Sequence, residues 1–187
     1  WEGECYNDSE FTSGGVLCTI AGITASATNF IELRPATGQG FKDHASAASN
    51  PLKYDQTKGV GLRSTGLYDD VIVIQVDHVR LRGLQISGLQ GCAVKMETDT
   101  GFTGTLIRDC ILTSSEDYAY GGVVSIRAGN VENCLIVQIK ASAGNGVFCS
   151  YPGTVNIFNC TVVRPSDITA AHAAFGAAGS GTINIKN

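Results

Sequence analysis

The stretch Thr-Val-Asn-Ile-Phe-Asn-Cys at residues 154–160 is nearly repeated as Thr-Ile-Asn-Ile-Lys-Asn at residues 182–187. The shared pattern is apolar, any residue, small or amide, apolar or Cys, any residue, apolar. In the two quoted stretches this pattern begins at Ile157 and at Ile185, and further copies lie at residues 81–86, 107–112 and 131–136. The third positions of the five copies are spaced by 26, 24, 26 and 28 residues. A repeat of this length is typical of a solenoid, in which each copy stacks on the next.

The third position of every copy is a residue type that tolerates a left-handed backbone. These residues are Gly83, Asp109, Asn133, Asn159 and Asn187. Because Gly, Asn and Asp enter the left-handed region at least cost, the pattern predicts a sharp bend between two short strands in each coil. The fold class that follows is all-β, a right-handed parallel β-helix with about 24–28 residues per coil.

The positions that flank each bend predict which side chains face the core. Parallel coils lie ~4.8 Å apart, so residues at the same phase stack directly. The position after the bend gives a predicted buried column of Leu84, Cys110, Cys134 and Cys160. We expect these cysteines to be buried thiols that behave as small hydrophobic side chains rather than disulfides.

Side chains that alternate with the core columns are predicted to point outward. One outward column contains Ile111 and Leu135 at matched phase. Because exposed apolar side chains in a row suit a protein contact, this pair is a candidate subunit interface, in a homotrimer by our hypothesis. A second outward column pairs Arg108 with Glu132, which predicts a cross-strand ion pair.

The repeat covers the chain unevenly, but a single domain is predicted over residues 1–187. Residues 1–66 are interpreted as irregular N-terminal coils with a long polar excursion at 41–58, and residues 67–187 as regular coils. Residues 168–178 fit either a short helix or a loop with a strand. The chain is interpreted as part of a longer protein.

Composition excludes several classes of function. The net charge is −4 and no cluster of basic residues occurs, so nucleic acid and anionic membrane surfaces are not expected partners. No apolar run approaches the ~20 residues of a transmembrane helix. His44, His78 and His172 are scattered and no metal-binding cysteine motif occurs, so neither a metal nor a cofactor is predicted.

Five stretches carry a resemblance to a known family. They are GECYNDSEF (3–11), ATNFIELRPATGQGFKDHA (27–45), NPLKYDQTKGVGLR (50–63), VRLRGLQI (79–86) and NCTVVRPSD (159–167). They are similar to right-handed β-helix proteins that bacteriophages and prophages encode among virion structural genes. The resemblance implies a component of the virion head or tail surface, such as a decoration protein, a fibre or a spike, with other virion proteins as partners. It brings no catalytic motif.

Two alternatives remain open: a carbohydrate receptor-binding module and a tailspike-like polysaccharide depolymerase. Cleavage of a glycosidic bond by hydrolysis needs two carboxylates about 5–9.5 Å apart. The acidic candidates are Glu97, Asp99, Glu116, Asp117 and the pair Asp69-Asp70, all interpreted as solvated loop residues. The bend column changes from Asp109 to asparagine in the next coils and so predicts an amide ladder rather than a carboxylate cluster. A non-enzymatic role is therefore expected, with a host surface glycan as a candidate ligand for the outward arginines.

Overall fold

The computed structural model describes residues 1–44, 53–97, 103–114, 122–138, 145–149, 152–163 and 174–187. Within them lie nineteen short strands and one turn of 3-10 helix at Gln56–Lys58. The strands are β1 (Glu2–Cys5), β2 (Phe11–Ser13), β3 (Cys18–Ile20), β4 (Ile31–Pro35), β5 (Gly61–Ser64), β6 (Ile72–Ile74), β7 (Val79–Arg82), β8 (Gln85–Gly88), β9 (Val94–Met96), β10 (Thr105–Arg108), β11 (Ile111–Ser114), β12 (Gly122–Ile126), β13 (Gly129–Glu132), β14 (Leu135–Gln138), β15 (Asn145–Cys149), β16 (Thr154–Phe158), β17 (Thr161–Val163), β18 (Phe175–Ala177) and β19 (Thr182–Lys186).

Every third strand joins the same sheet, which makes three parallel sheets around one core. Sheet A runs β1-β4-β7-β10-β13-β16-β19, sheet B runs β2-β5-β8-β11-β14-β17, and sheet C runs β3-β6-β9-β12-β15-β18. The described strands thus complete six coils and begin a seventh. The predicted parallel β-helix is confirmed, and residues 1–66 contribute β1–β5 to the same three sheets.

The predicted core columns are in register. Leu81, Ile107, Val131 and Ile157 pair in sequence along sheet A and are fully buried. Each buried aliphatic side chain contributes about 1.5–3 kcal/mol relative to exposure. Ile185 continues the register but is 50% exposed, because β19 is the last strand of sheet A and no described strand packs beyond it.

The predicted bends also occur where expected. Gly83 and Asp109 have φ of 66° and 58°, and Asn133 and Asn159 both have φ of 50°. The amide of each bend residue donates to the carbonyl that precedes the next bend, as in Asn133 to Phe158 at 2.9 Å. The coil-to-coil hydrogen bonding therefore continues through the bend. The last predicted bend residue, Asn187, follows β19 and is exposed.

The cysteine column fills the space beneath the bends. Leu84, Cys110 and Cys134 are buried, while Cys160 is half-buried because sheet B ends at β17. Each thiol contacts the carbonyl two residues earlier, for example Cys134 Sγ to the Glu132 oxygen at 3.2 Å. A second carbonyl in the preceding coil lies 3.4–3.7 Å from each sulfur. All seven cysteines are free thiols.

The side chains of the column also interact with one another. A hydrogen bond with the neighbouring thiol, followed by burial, raises the pKa of Cys134 and of Cys160. Because the thiolate is the reactive form, both effects make these cysteines poor nucleophiles. The cysteine column is thus part of the packed core, and each of its thiols, a weak hydrogen-bond donor, lies between two backbone carbonyls.

A second ladder of amides lies beside the predicted ladder at the bends. At the bends, Asn133 hydrogen-bonds the carboxylate of Asp109. A ladder of three amides lies on the outer face of sheet A, where Asn156 Nδ2 donates to Asn130 at 3.1 Å and Asn184 Nδ2 donates to Asn156 at 3.0 Å. The sequence contains a signal for this second ladder, because the similar stretches 154–160 and 182–187 both have asparagine as their third residue, Asn156 and Asn184.

Residues 168–178 are only partly described. Phe175–Ala177 forms β18 of sheet C and pairs with β15, so these three residues are strand rather than helix. Residues 168–173 lie outside the described ranges.

The left-handed bend can be tested at Asn133. We expect Asn133→Val to lower the free energy of unfolding by about 2–3 kcal/mol, because a β-branched residue is strained at positive φ and the bond to Asp109 is lost. Asn133→Gly is the matched control, since it loses the same bond without the strain and should cost less. Urea denaturation of both variants measures the difference, and equal losses would contradict the strain.

The cysteine column can be tested by alkylation of the native protein. Cys110 and Cys134 should react only after denaturation, because their thiols are buried and hydrogen-bonded to carbonyls. The half-buried Cys5 and Cys18 of the first coil are the internal reference and should react earlier. Peptide mapping by mass spectrometry identifies the labelled sites. Early labelling of Cys110 or Cys134 would show that this column is accessible.

Candidate functional site

A long insertion interrupts the second coil at the position of its bend. In the third coil only Gly83 and Leu84 separate the two strands, whereas Pro35 at the end of β4 and Gly61 at the start of β5 are separated by residues 36–60. The described parts of this insertion, residues 36–44 and 53–60, are called here the covering loop. A coil stack tolerates such an insertion because only the strands carry the ladder.

The covering loop lies on the outer face of sheet B. Phe41 is 7% exposed and packs against Ile111 and Leu135, which are themselves 1% and 8% exposed. Tyr54 and Val137 border this small apolar cluster. The candidate subunit interface at Ile111 and Leu135 is therefore corrected: these side chains do point away from the central core, but the chain's own loop covers them.

Gln85 anchors the other end of the covering loop. Its Oε1 accepts from the Asp55 amide at 2.8 Å, and its Nε2 donates to the carbonyls of Asp55 at 3.0 Å and Gly59 at 3.1 Å. Gln85 is buried, so these bonds replace the hydration that its amide loses. Tyr54 adds a bond of 2.6 Å from its hydroxyl to Glu10. Burial, with that bond, raises the pKa of the Tyr54 hydroxyl.

An ion pair joins the covering loop to a bend. Lys42 Nζ lies 2.8 Å from Asp109 Oδ1, and the Arg108 Nε lies 3.6 Å from the other carboxylate oxygen. Partial burial alone would raise the pKa of Asp109, but the hydrogen bonds from Lys42 and Asn133 and the charge of Arg108 lower it. Asp109 is therefore a bend residue and a charged anchor for the loop at once.

A groove of about 400 Å³ runs between the covering loop and the corner of sheets A and B. We call it the corner groove. Its lining residues are Glu32, Arg34, Pro35, Ala36, Thr37, Gly38, Gly40, Lys42, Asp43, Arg82, Gly83 and Asp109. Side chains from three successive coils and from the loop thus face one space.

Charged side chains on the outer face of sheet A form ion pairs around the groove. Arg34 lies 3.1 Å from both Glu2 and Glu4, and Arg82 lies 3.4 Å from Glu32. The predicted cross-strand pair of Arg108 and Glu132 is present at 3.8 Å. Arg80 is used differently, since its guanidinium lies 3.3 Å above the centre of the Phe30 ring. Arg82 and Arg108 are direct neighbours in the register, and each is paired with an acid, Arg82 with Glu32 and Arg108 with Glu132.

The structure brings two of the acidic loop candidates, Asp70 and Glu97, together at Lys95. The prediction that Asp70 is a solvated loop residue is wrong, because Asp70 is buried. It accepts a hydrogen bond from the Cys92 amide at 2.8 Å and pairs with Lys95 at 2.9 Å. Glu97 lies 3.5 Å from Lys95 and accepts from Gln75 at 3.0 Å. The other candidates, Asp99, Glu116 and Asp117, lie outside the described residues.

Within the same described ranges, no group of three or more His, Cys, Asp and Glu side chains is placed to hold a metal ion. No helix there is long and apolar enough to cross a membrane. In comparisons with known proteins, no family model, curated protein or solved structure matches the chain. The resemblance described above therefore rests on the quoted stretches alone.

The docking of the covering loop can be tested at Phe41. We expect Phe41→Ala to lower the free energy of local loop opening by about 2–4 kcal/mol, because a buried aromatic side chain is lost from a small cluster. Hydrogen exchange at the amides of Asp55 and Val60, which are bonded to Gln85 and Gln39, reports the opening.

Lys53→Ala is the control, since Lys53 is an exposed residue of the same loop. Its exchange rates should match those of the unmodified protein. Unchanged protection in Phe41→Ala would show that the aromatic contact does not hold the loop.

Proposed function

We propose that this chain is a non-enzymatic structural domain of a bacteriophage virion, serving as a head decoration, a fibre or a spike component. The observation that supports it is the unbroken register of three parallel sheets over six coils. Six coil spacings of ~4.8 Å give a stack about 30 Å long, held by backbone hydrogen bonds along its axis. Such a stack is a stiff spacer, which is the physical property that a surface component of a particle requires.

The carboxylates of Asp55 and Asp109 are held in the ionised form. A glycosidase needs one carboxylic acid whose pKa is raised so that it can protonate the leaving group. The pKa values of Asp55 and Asp109 are both lowered, so neither group is suited to that role. Hydrogen bonds from Thr57 are the main cause at Asp55. These groups are arranged to stay ionised.

A homotrimer and contacts with other virion proteins are part of this proposal. The covered Ile111 and Leu135 column does not serve the trimer in the loop-docked structure, so the subunit contact would use another outer face. The outer face of sheet A offers the asparagine ladder of Asn130, Asn156 and Asn184, together with Phe158 in the neighbouring column. Flat stacked amides can pair with the same side chains of a second chain.

The proposal is tested by locating the protein in a particle. Gold-labelled antibody raised against residues 1–187 should decorate intact phage particles in a lysate of the strain that encodes the chain, on the head or the tail. Antibody pre-absorbed with the recombinant chain is the control and should leave the particles bare. A protein found only in the particle-free fraction would contradict a virion role.

The depolymerase alternative is tested separately with host capsule or lipopolysaccharide. A structural domain should release neither reducing ends nor unsaturated sugars from them. Release that scales with the amount of purified chain would overturn the non-enzymatic proposal.

A further inference from the structure

Glu32 is a buried carboxylate that lines the corner groove and has a long ion pair with Arg82. It projects from the outer face of β4 into the corner groove and is 5% exposed. Its ion pair with Arg82 spans 3.4 Å, whereas a charge-assisted N–H···O bond is ordinarily 2.7–2.9 Å. A carboxylate can accept about four hydrogen bonds. Glu32 is therefore able to accept from a donor placed in the groove.

The charged residues that line the groove, Glu32 included, supply both signs of charge in equal number. Three cations, Arg34, Lys42 and Arg82, face three anions, Glu32, Asp43 and Asp109. A phosphate or a carboxylate ligand would be repelled by the acids, and a metal cation would be repelled by the arginines and the lysine. The charges cancel, which favours a ligand that is polar but carries no net charge.

The geometry favours a ligand with several hydroxyl groups. A hydroxyl donates one hydrogen bond and accepts others, so a ring of hydroxyls can bond to both the acids and the cations that line one groove. The volume of about 400 Å³ lies within the usual range of small-molecule sites. Pro35 and Ala36 provide an apolar patch for the face of a ring.

We propose that the corner groove binds one neutral sugar unit of a glycan. Its hydroxyls donate to Glu32 and Asp109 and accept from Arg82 and Lys42. The walls are held in place before binding, because Phe41 packs the loop onto sheet B and Lys42 is paired with Asp109 at 2.8 Å. Such preorganisation lowers the entropic cost of binding. This site does not depend on the virion role and would hold in a protein of any location.

The probes are the methyl glycosides of glucose, galactose, mannose, rhamnose, N-acetylglucosamine and N-acetylgalactosamine, with methyl glucuronide as the charged comparison. Saturation-transfer difference NMR at millimolar concentration measures binding to the whole chain. We expect at least one neutral glycoside to bind. Its affinity should fall at least tenfold in Glu32→Gln and in Arg82→Met.

Glu97→Gln is the matched control, because it removes a half-exposed carboxylate from the sheet C side of the coil. It should leave the affinity unchanged. Arg82 is half-exposed, so Arg82→Met keeps the test valid even if Glu32→Gln lowers stability. The proposal is overturned by three results: no signal from any neutral glycoside, a signal that survives Arg82→Met, or binding of the glucuronide alone.

Discussion

The structure depends on a turn that must be made in every coil without interrupting the hydrogen bonds between coils. A residue with positive φ makes the turn in one step, and its amide still donates to the next coil, as Asp109 does to Glu132 at 3.0 Å. Because the hydrogen bonds between coils continue through the bend, the coils stack in register. Residues at the same position of successive coils therefore contact one another. The thiols of Cys110 and Cys134 occupy the narrow space under these turns, where their sulfurs contact the carbonyls beside the bend.

The same turn is where the fold accepts variation. In the second coil the bend is replaced by residues 36–60, and the stack continues unchanged because β4 and β5 keep their pairings with β7 and β8. The covering loop then lies back on sheet B and adds a second, smaller apolar cluster around Phe41. The entropic cost of closing such a loop grows only slowly with its length. The burial of Phe41 and the hydrogen bonds of the Gln85 amide offset this cost.

The outer face of sheet A carries chemistry that contributes little to stability. Half-exposed ion pairs such as that of Arg34 with Glu2 and Glu4 are worth about 0–1 kcal/mol each. Glu32 differs because it is buried while its partner Arg82 is half-exposed. A buried acid with a long ion pair adds little to stability, and the proposed glycan site in the corner groove would give it a further hydrogen-bond partner.

The sequence by itself determined what repeats. The bends at Asp109, Asn133 and Asn159, the core columns and the parallel solenoid all follow from one phase that recurs every 24–28 residues, because each coil places the same positions inside. Only the tertiary structure decided what covers the outward side chains. The covering loop has no repeat, so nothing in its own pattern shows that Phe41 buries Ile111 and Leu135. The burial of Asp70 and Glu32 likewise depends on neighbours that are distant in sequence, since contacts between coils join residues that no local spacing relates.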